Sequence, residues 1–270
     1  MSSDIVYTHG HHDSVLRSHR TRTVANSAAY LAGYLRPGAR VLDAGCGPGT
    51  ISVDMALRVA PGQVVAIDAA EGVIAEAGAL AAAEGATNIE FAVADLYSLP
   101  YPDASFDVVH AHQVLQHLAD PVAALREMGR VCTPGGVVAA RDADYAAFTW
   151  YPENPSLDDW RGIYRAVAHA NGAEPDAGRR LLSWARRAGF TDITATGTLW
   201  TYATPEQRAE WGGMWSERIR NSAIAEQALS GSHATREDLE RISRAWLDWA
   251  ADEDGWLAIP HGEILCRTNA

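Results

Sequence analysis

The sequence predicts an α/β protein: a mostly parallel sheet of seven strands with helices on both faces and a helical cap. Three observations lead there. Short apolar runs alternate with helical patterns from about residue 39 to 142, the pattern of right-handed β-α-β units. These runs are almost continuously apolar, which suits a sheet covered on both faces. The chain has 270 residues, 47% of them hydrophobic, enough to bury a large core.

The elements follow in order. Residues 14 to 35 read as a helix. A strand at about 39–44 runs into "GCGPG", and Thr50 to Ala60 form a helix closed by Pro61-Gly62. Strands at 63–68, 88–95 and 106–112 flank an alanine-rich helix from Glu71 to Glu84. Asp120-Pro121 offers an N-cap and a first-turn proline to a helix reaching about Cys132, and a fifth strand covers 136–142. The pattern then changes, and all nine tryptophans lie between Trp150 and Trp256. A loop and helix fill 146–176, a helix 177–189, a strand 190–203, and one helical stretch 205–250. The last strand, 255–268, contains Pro260, which predicts an edge position or a bulge. The organisation read from this is an N-terminal lid and helix (1–37), a core (38–145) completed by 177–204 and 255–270, and cap segments at 146–176 and 205–254.

Composition excludes several classes of function. A net charge of −12 disfavours a nucleic-acid partner, whose phosphates need clustered basic residues. No run of 18 apolar residues and no signal-type N-terminus predicts a cytoplasmic protein without a membrane partner. All 22 basic residues are arginine, which with the abundant alanine reads as genome composition. Cys46, Cys132 and Cys266 are too scattered for a disulfide framework or a zinc site.

Ligands of an open parallel sheet bind beyond the carboxyl ends of its strands. Here those ends carry Asp43 with the glycine loop, Asp68, Asp95, His112 and Asp142. Thr50 stands where a dinucleotide loop wants its third glycine, and Asp43 precedes the loop with no Arg or Lys beside it. A pyrophosphate favours helix amides without a nearby carboxylate. Ribose hydroxyls at Asp68, an adenine amine at Asp95 and a cationic tail without phosphate describe S-adenosylmethionine.

"VLDAGCGPGT", "VVAIDAAEGVI", "FAVADLYSLPYPDASFDVVHAHQVLQHLADP" and "GRVCTPGG", in this order and spacing, resemble the class I S-adenosylmethionine-dependent methyltransferases, in their UbiE/small-molecule branch. The resemblance covers about residues 38–142 and implies a Rossmann-like fold. It implies that Gly45, Gly47 and the backbone at Cys46 approach the methionine part of the cofactor, with Asp43 behind the loop. It places Asp68 on the ribose, Ala69 and Val73 against adenine, and Asp95 and Leu96 at the adenine edge. His112 and Gln113 fall beside the reacting methyl. Val73 departs from the family's larger apolar residue there. An N-terminal lid would bring Tyr7, His12 or Arg20 to the cofactor or substrate; the rival reading of His9, His11 and His12 is a metal site.

Methyl transfer is an in-line displacement, so alignment does most of the work. His112, His117 and Tyr7, with Asp142 behind them, are the candidate bases, and His110 reads as a satisfied core histidine. Trp211 or Trp215 would line an apolar pocket for a hydrophobic or aromatic small molecule. Two other functions fit the sequence less well: a cofactor-binding protein that transfers no methyl, such as a cyclase or regulatory binder, and a nicotinamide-dependent oxidoreductase. Monomer and homodimer both fit.

Overall fold

The computed structural model describes residues 21–269. Its strands are β1 (Val41–Ala44), β2 (Val64–Asp68), β3 (Ile89–Val93), β4 (Phe106–His112), β5 (Cys132–Ala143), β6 (Thr149–Tyr151), β7 (Asp192–Tyr202) and β8 (Trp256–Arg267). Its α-helices are α1 (Val24–Ser27), α2 (Thr50–Val59), α3 (Glu71–Ala83), α4 (Pro121–Val131), α5 (Pro155–Ala170), α6 (Leu181–Ala188), α7 (Pro205–Asn221), α8 (Ala223–Ser230) and α9 (Arg236–Ala251).

Among the described residues the sheet has eight strands, one more than the sequence predicted, in the order β3-β2-β1-β4-β5-β8-β6 with β7 also on β8. The extra strand, β6, is three residues long, too short to show a period of two. β1 to β5 are parallel; β8 runs antiparallel to β5, β6 and β7. Alternate residues face opposite sides. Leu42, Ala111 and Ala140 pack under α4 and α6, while Val41, Val108 and Ala139 pack under α1 and α2.

Three local expectations need correction. The helix expected over 14–35 begins, in its described part, only at Val24, because Thr23 and Asn26 form a capping box there. It becomes a 3-10 turn over Ala29–Tyr34. The stretch 205–250 is three helices, since Ser222 caps α8 and Thr235 with Asp238 forms a capping box on α9. Pro260 lies in a strand paired on both sides, not at an edge. Its carbonyl accepts from Asp144 N (3.0 Å), so its nitrogen faces the gap where β5 has ended and β6 has not begun. The missing N–H therefore costs no ladder bond.

Residues of β6, α5 and α7–α9 enclose a second core. Trp160 is its centre, edge-on to Trp215 (4.6 Å) and Trp246 (4.9 Å). No described helix is long and apolar enough to cross a membrane.

Candidate active site

β1 delivers the chain into the glycine loop. Gly45, Gly47 and Gly49 have φ of 73°, 54° and 83°, the left-handed region that glycine tolerates without strain. A side chain on Gly45 would strike Val114, and a Cβ on Gly49 would lie 2.8 Å from that of Ala77. Gly45 N and Cys46 N both donate to Ile67 O, and Gly47 N donates to Asp68 Oδ2 (3.0 Å). The other oxygen of Asp68 accepts from Ala70 N (3.0 Å). One carboxylate thus joins the loop to the end of β2.

Asp43 is buried behind the loop. It accepts from Ser52 Oγ (2.5 Å), inside α2, and faces His110 Nδ1 at 2.8 Å. Ala69 is exposed, Val73 is buried in the first turn of α3, and Leu96 is buried in the core under α4. Asp95 is exposed, and its side chain accepts from Tyr97 N (2.9 Å). Cys46 is buried, and burial followed by Asp43 pushes its thiol up, away from nucleophile chemistry.

The end of β4 holds a more unusual arrangement. Opposite His112 in the register is Arg141 of β5. Across β8 lie Glu263 and His261, and across β7 Thr198 and Trp200. His112 is buried, its ring 5.7 Å from Trp200 and 6.4 Å from His261. Neither of its ring nitrogens has a partner among the described residues. Burial first, then Arg22 and Arg141, hold it well below the usual histidine range, so it is neutral at pH 7.

Gln113 follows with φ 55°, rare for a non-glycine residue and a mark of local constraint. Its Oε1 accepts from Arg22 Nη2 (3.0 Å), and its Nε2 lies 2.9 Å from His261 Nε2. His261 Nδ1 faces Ile259 O at 3.0 Å, so Nδ1 carries the hydrogen and Nε2 accepts from Gln113. The orientation of Gln113 is fixed from both ends.

Other predicted residues separate from this group. Tyr7 lies outside the described residues, as do His9, His11, His12 and Arg20. His110 is not fully satisfied among the described residues: Nε2 is buried without a partner there. His117 Nε2 lies 3.1 Å from Gln116 Nε2, and burial pushes its pKa down to about 4. Asp142 neighbours Arg141 in β5, so it faces the opposite side of the sheet, where Oδ1 accepts from Gln116 N (3.1 Å). Arg22, Arg141, Trp200, His261 and Glu263 had no sequence signal: Arg22 joins from ahead of α1, and the others meet only through the antiparallel pairing of β8 with β5 and β7, which leaves no local period.

Burial pushes the Asp142 carboxyl up to about 8. The folded state then binds its proton more tightly than the unfolded state, so stability is lost as pH rises between roughly 4 and 8. Asp142→Asn is expected to melt with the wild type near pH 4 and above it by a margin that grows to about pH 8. Thermal melts across that range check this; a constant margin would contradict it.

A cleft of about 440 Å³ is lined by Tyr202, Trp211, Met214, Glu210, Glu217 and Thr21 among others. Trp211 is thus at the cleft. Trp215 is fully buried in the second core, packed edge-on against Trp160, and does not line this cleft.

A family model described as a methyltransferase domain matches residues 35–189, more than half of the chain. The chain belongs to the class I methyltransferases. This methyltransferase is 31% identical over 98% of its length, and 98% of the other's, to an uncharacterized methyltransferase of Schizosaccharomyces pombe. It is 31% identical to the probable methyltransferase ltbC of Aspergillus luteorubrus, with 96% of each chain covered. Its fold resembles YcgJ of Bacillus subtilis (TM-score 0.60, 19% identity, 90% and 97% covered). It also resembles a Haemonchus contortus phosphoethanolamine N-methyltransferase solved with phosphomonomethylethanolamine and S-adenosylhomocysteine (TM-score 0.57, 19% identity, 90% and 52% covered).

Proposed function

We propose that this methyltransferase transfers a methyl group from S-adenosylmethionine to a small molecule with a hydrophobic or aromatic body. The observation that carries the reading is the glycine loop tied by Gly47 N to Asp68 at the end of β2. The donor set suits this cofactor. The loop carries no basic side chain, and carboxylates end β2 and the turn after β3. Gly45 and Gly47 lend bare backbone to the methionine part, with Cys46 between them and Asp43 bracing the loop from behind. Asp68 accepts from the ribose hydroxyls, Ala69 and Val73 flank adenine, and Asp95 and Leu96 meet its edge. When bound, the cofactor supplies a methyl group activated on a sulfonium.

The chain's own residues do the rest. His112 and Gln113 stand beside the methionine and the acceptor. Tyr202, Trp211 and Met214 give the acceptor's apolar body a surface, and α7 walls that end of the cleft. Covering the site excludes water and aligns the acceptor, which is the main contribution a protein makes to an in-line displacement. Tyr7 remains a candidate for proton transfer; His117, held at about 4 by burial, is poorly matched to it, and Asp142 lies on the far face of the sheet.

Titration calorimetry is the first test. S-Adenosylhomocysteine is expected to bind at micromolar concentration and NAD(P) not at all. Incubation with methyl-labelled cofactor and a panel of apolar hydroxy compounds and amines then tests transfer. Label retained by the cofactor across the panel, with tight binding, would favour a binding protein over a methyltransferase.

A further inference from the structure

The polar groups on one face of the sheet do not balance. Glu263 Oε1 accepts from Thr198 Oγ1 (2.6 Å) and Arg141 Nε (3.1 Å), and Oε2 accepts from Thr196 Oγ1 (2.9 Å). Both oxygens of that carboxylate are therefore engaged, yet among the described residues Arg141 Nη1 is buried with no acceptor. Among the described residues the Tyr30 hydroxyl, on the helical turn covering this face, is also buried without a partner, as are both nitrogens of His112. Buried polar groups in folded proteins are nearly always paired. This corner has spare donors on Arg141, Tyr30 and one nitrogen of the neutral His112 ring, and no spare anionic acceptor among the described residues.

Its charges point the same way. Arg141 and Arg22 both lie over the Trp200 ring, 4.8 and 5.4 Å from its centroid. The groups facing the corner are Arg22 on the N-terminal segment, Tyr30, His110 and His112 on β4, Arg141 on β5, and His261 and Glu263 on β8. Asp43, on β1, is bonded to Ser52 and His110. Two guanidiniums share one indole, and the nearest carboxylate is already engaged.

Resting on the methyltransferase reading, we infer that this corner seats an acceptor oxygen as its anion, held by Arg141 Nη1 and the Tyr30 hydroxyl beside His112. The substrate class is a molecule with an acidic O–H, a phenol, enol or carboxylic acid. The oxygen's electron pair forms the new O–CH3 bond, the C–S bond breaks, and sulfur keeps that pair. The acceptor's proton has already gone to solvent. This relieves His112 of the role of base, for which a neutral histidine held far below pH 7 is poorly matched. His112 instead orients the oxygen.

Two chromophoric and aromatic probes test this on the full chain saturated with S-adenosylhomocysteine. 4-Nitrophenol reports its ionisation by absorbance; benzoate is compared with benzamide. Expected are a pKa for bound nitrophenol lowered by about one unit or more, and benzoate bound at least about tenfold more tightly than benzamide. The first arm selects a phenol-type acceptor, the second a carboxylate. Arg141→Met leaves Glu263 unpaired and can unfold the protein, so the neutral double variant Arg141→Met/Glu263→Gln carries the comparison. It is expected to abolish both effects while still binding S-adenosylhomocysteine. No binding of either anion to the loaded wild type, or an unshifted nitrophenol together with equal affinity for benzoate and benzamide, overturns the inference. So does persistence of the anion preference in the double variant. If S-adenosylhomocysteine itself does not bind, the methyltransferase reading fails instead.

Discussion

Asp68→Ala is expected to weaken S-adenosylhomocysteine binding by about 100-fold or more while leaving the protein folded. Two ribose hydroxyls donating to one carboxylate are worth about 1.5–3 kcal/mol each, and the substitution removes both acceptors. The same carboxylate bonds Gly47 N and Ala70 N, so the glycine loop also loses its tie to β2. Both effects act on the cofactor end. The sheet core does not depend on Asp68, which is only partly buried at the strand's end. Asp68→Asn keeps one carbonyl acceptor and is expected to fall between wild type and alanine. Calorimetry gives the affinities and circular dichroism the fold. Unchanged affinity in a folded Asp68→Ala protein would remove the basis for placing the cofactor here.

Gly262→Ala is expected to be the most destabilising single-methyl change in the site's neighbourhood. A Cβ on Gly262 would meet the carbonyl of Gly178, which is backbone and cannot rotate away. A Cβ on Gly178 would in turn lie 2.8 Å from Gly262 N and Asp142 O. β8 and the turn before α6 therefore touch through two glycines. Overpacking costs typically 1–3 kcal/mol, and a contact with backbone belongs at the upper end, about 3 kcal/mol or 6–10 °C in Tm. Differential scanning calorimetry checks it. A melt within about 2 °C of wild type would show that β8 can shift freely there. His261 and Glu263 flank Gly262, so a displaced β8 should also weaken anion binding at Arg141.

Sequence and structure agree best where the signal is local. β4 begins and ends at the predicted residues, and Asp120 caps α4, accepting from Ala123 N (2.9 Å) with Pro121 in the first turn. The glycine loop and the carboxylates after β2 and β3 were legible because a parallel β-α-β unit keeps ligand-facing residues at regular positions in the chain. The other half of the site was not. Arg141 carries no motif at its strand end, and His261 and Glu263 lie in a strand whose proline pointed to an edge or a bulge. Only the antiparallel register, Arg141 against Glu263 and Ala143 against His261, brings them to His112. Pro260 misled for a definable reason: the gap between β5 and β6 accommodates its missing N–H inside a central strand. The breaks at Ser222 and Thr235 were visible as capping residues but were masked by continuous helical periodicity.

The position of β8 in the sheet sets a condition on biosynthesis. A ribosome adds residues in order, and β1 to β5 can pair as soon as residue 143 is clear of the exit tunnel. β7 cannot join them then, because the described contact of β7 with the sheet runs through β8. Until residues 256–267 emerge, β5 has an open edge, the Arg141 guanidinium has no Glu263, and Gln113 has no His261. The nascent chain would present cofactor loop and unpaired strand edge together for the time needed to translate more than a hundred further residues. A chaperone that shields strand edges would find its target in that interval, and ribosomes paused before codon 256 would carry chains that lack His261 and Glu263.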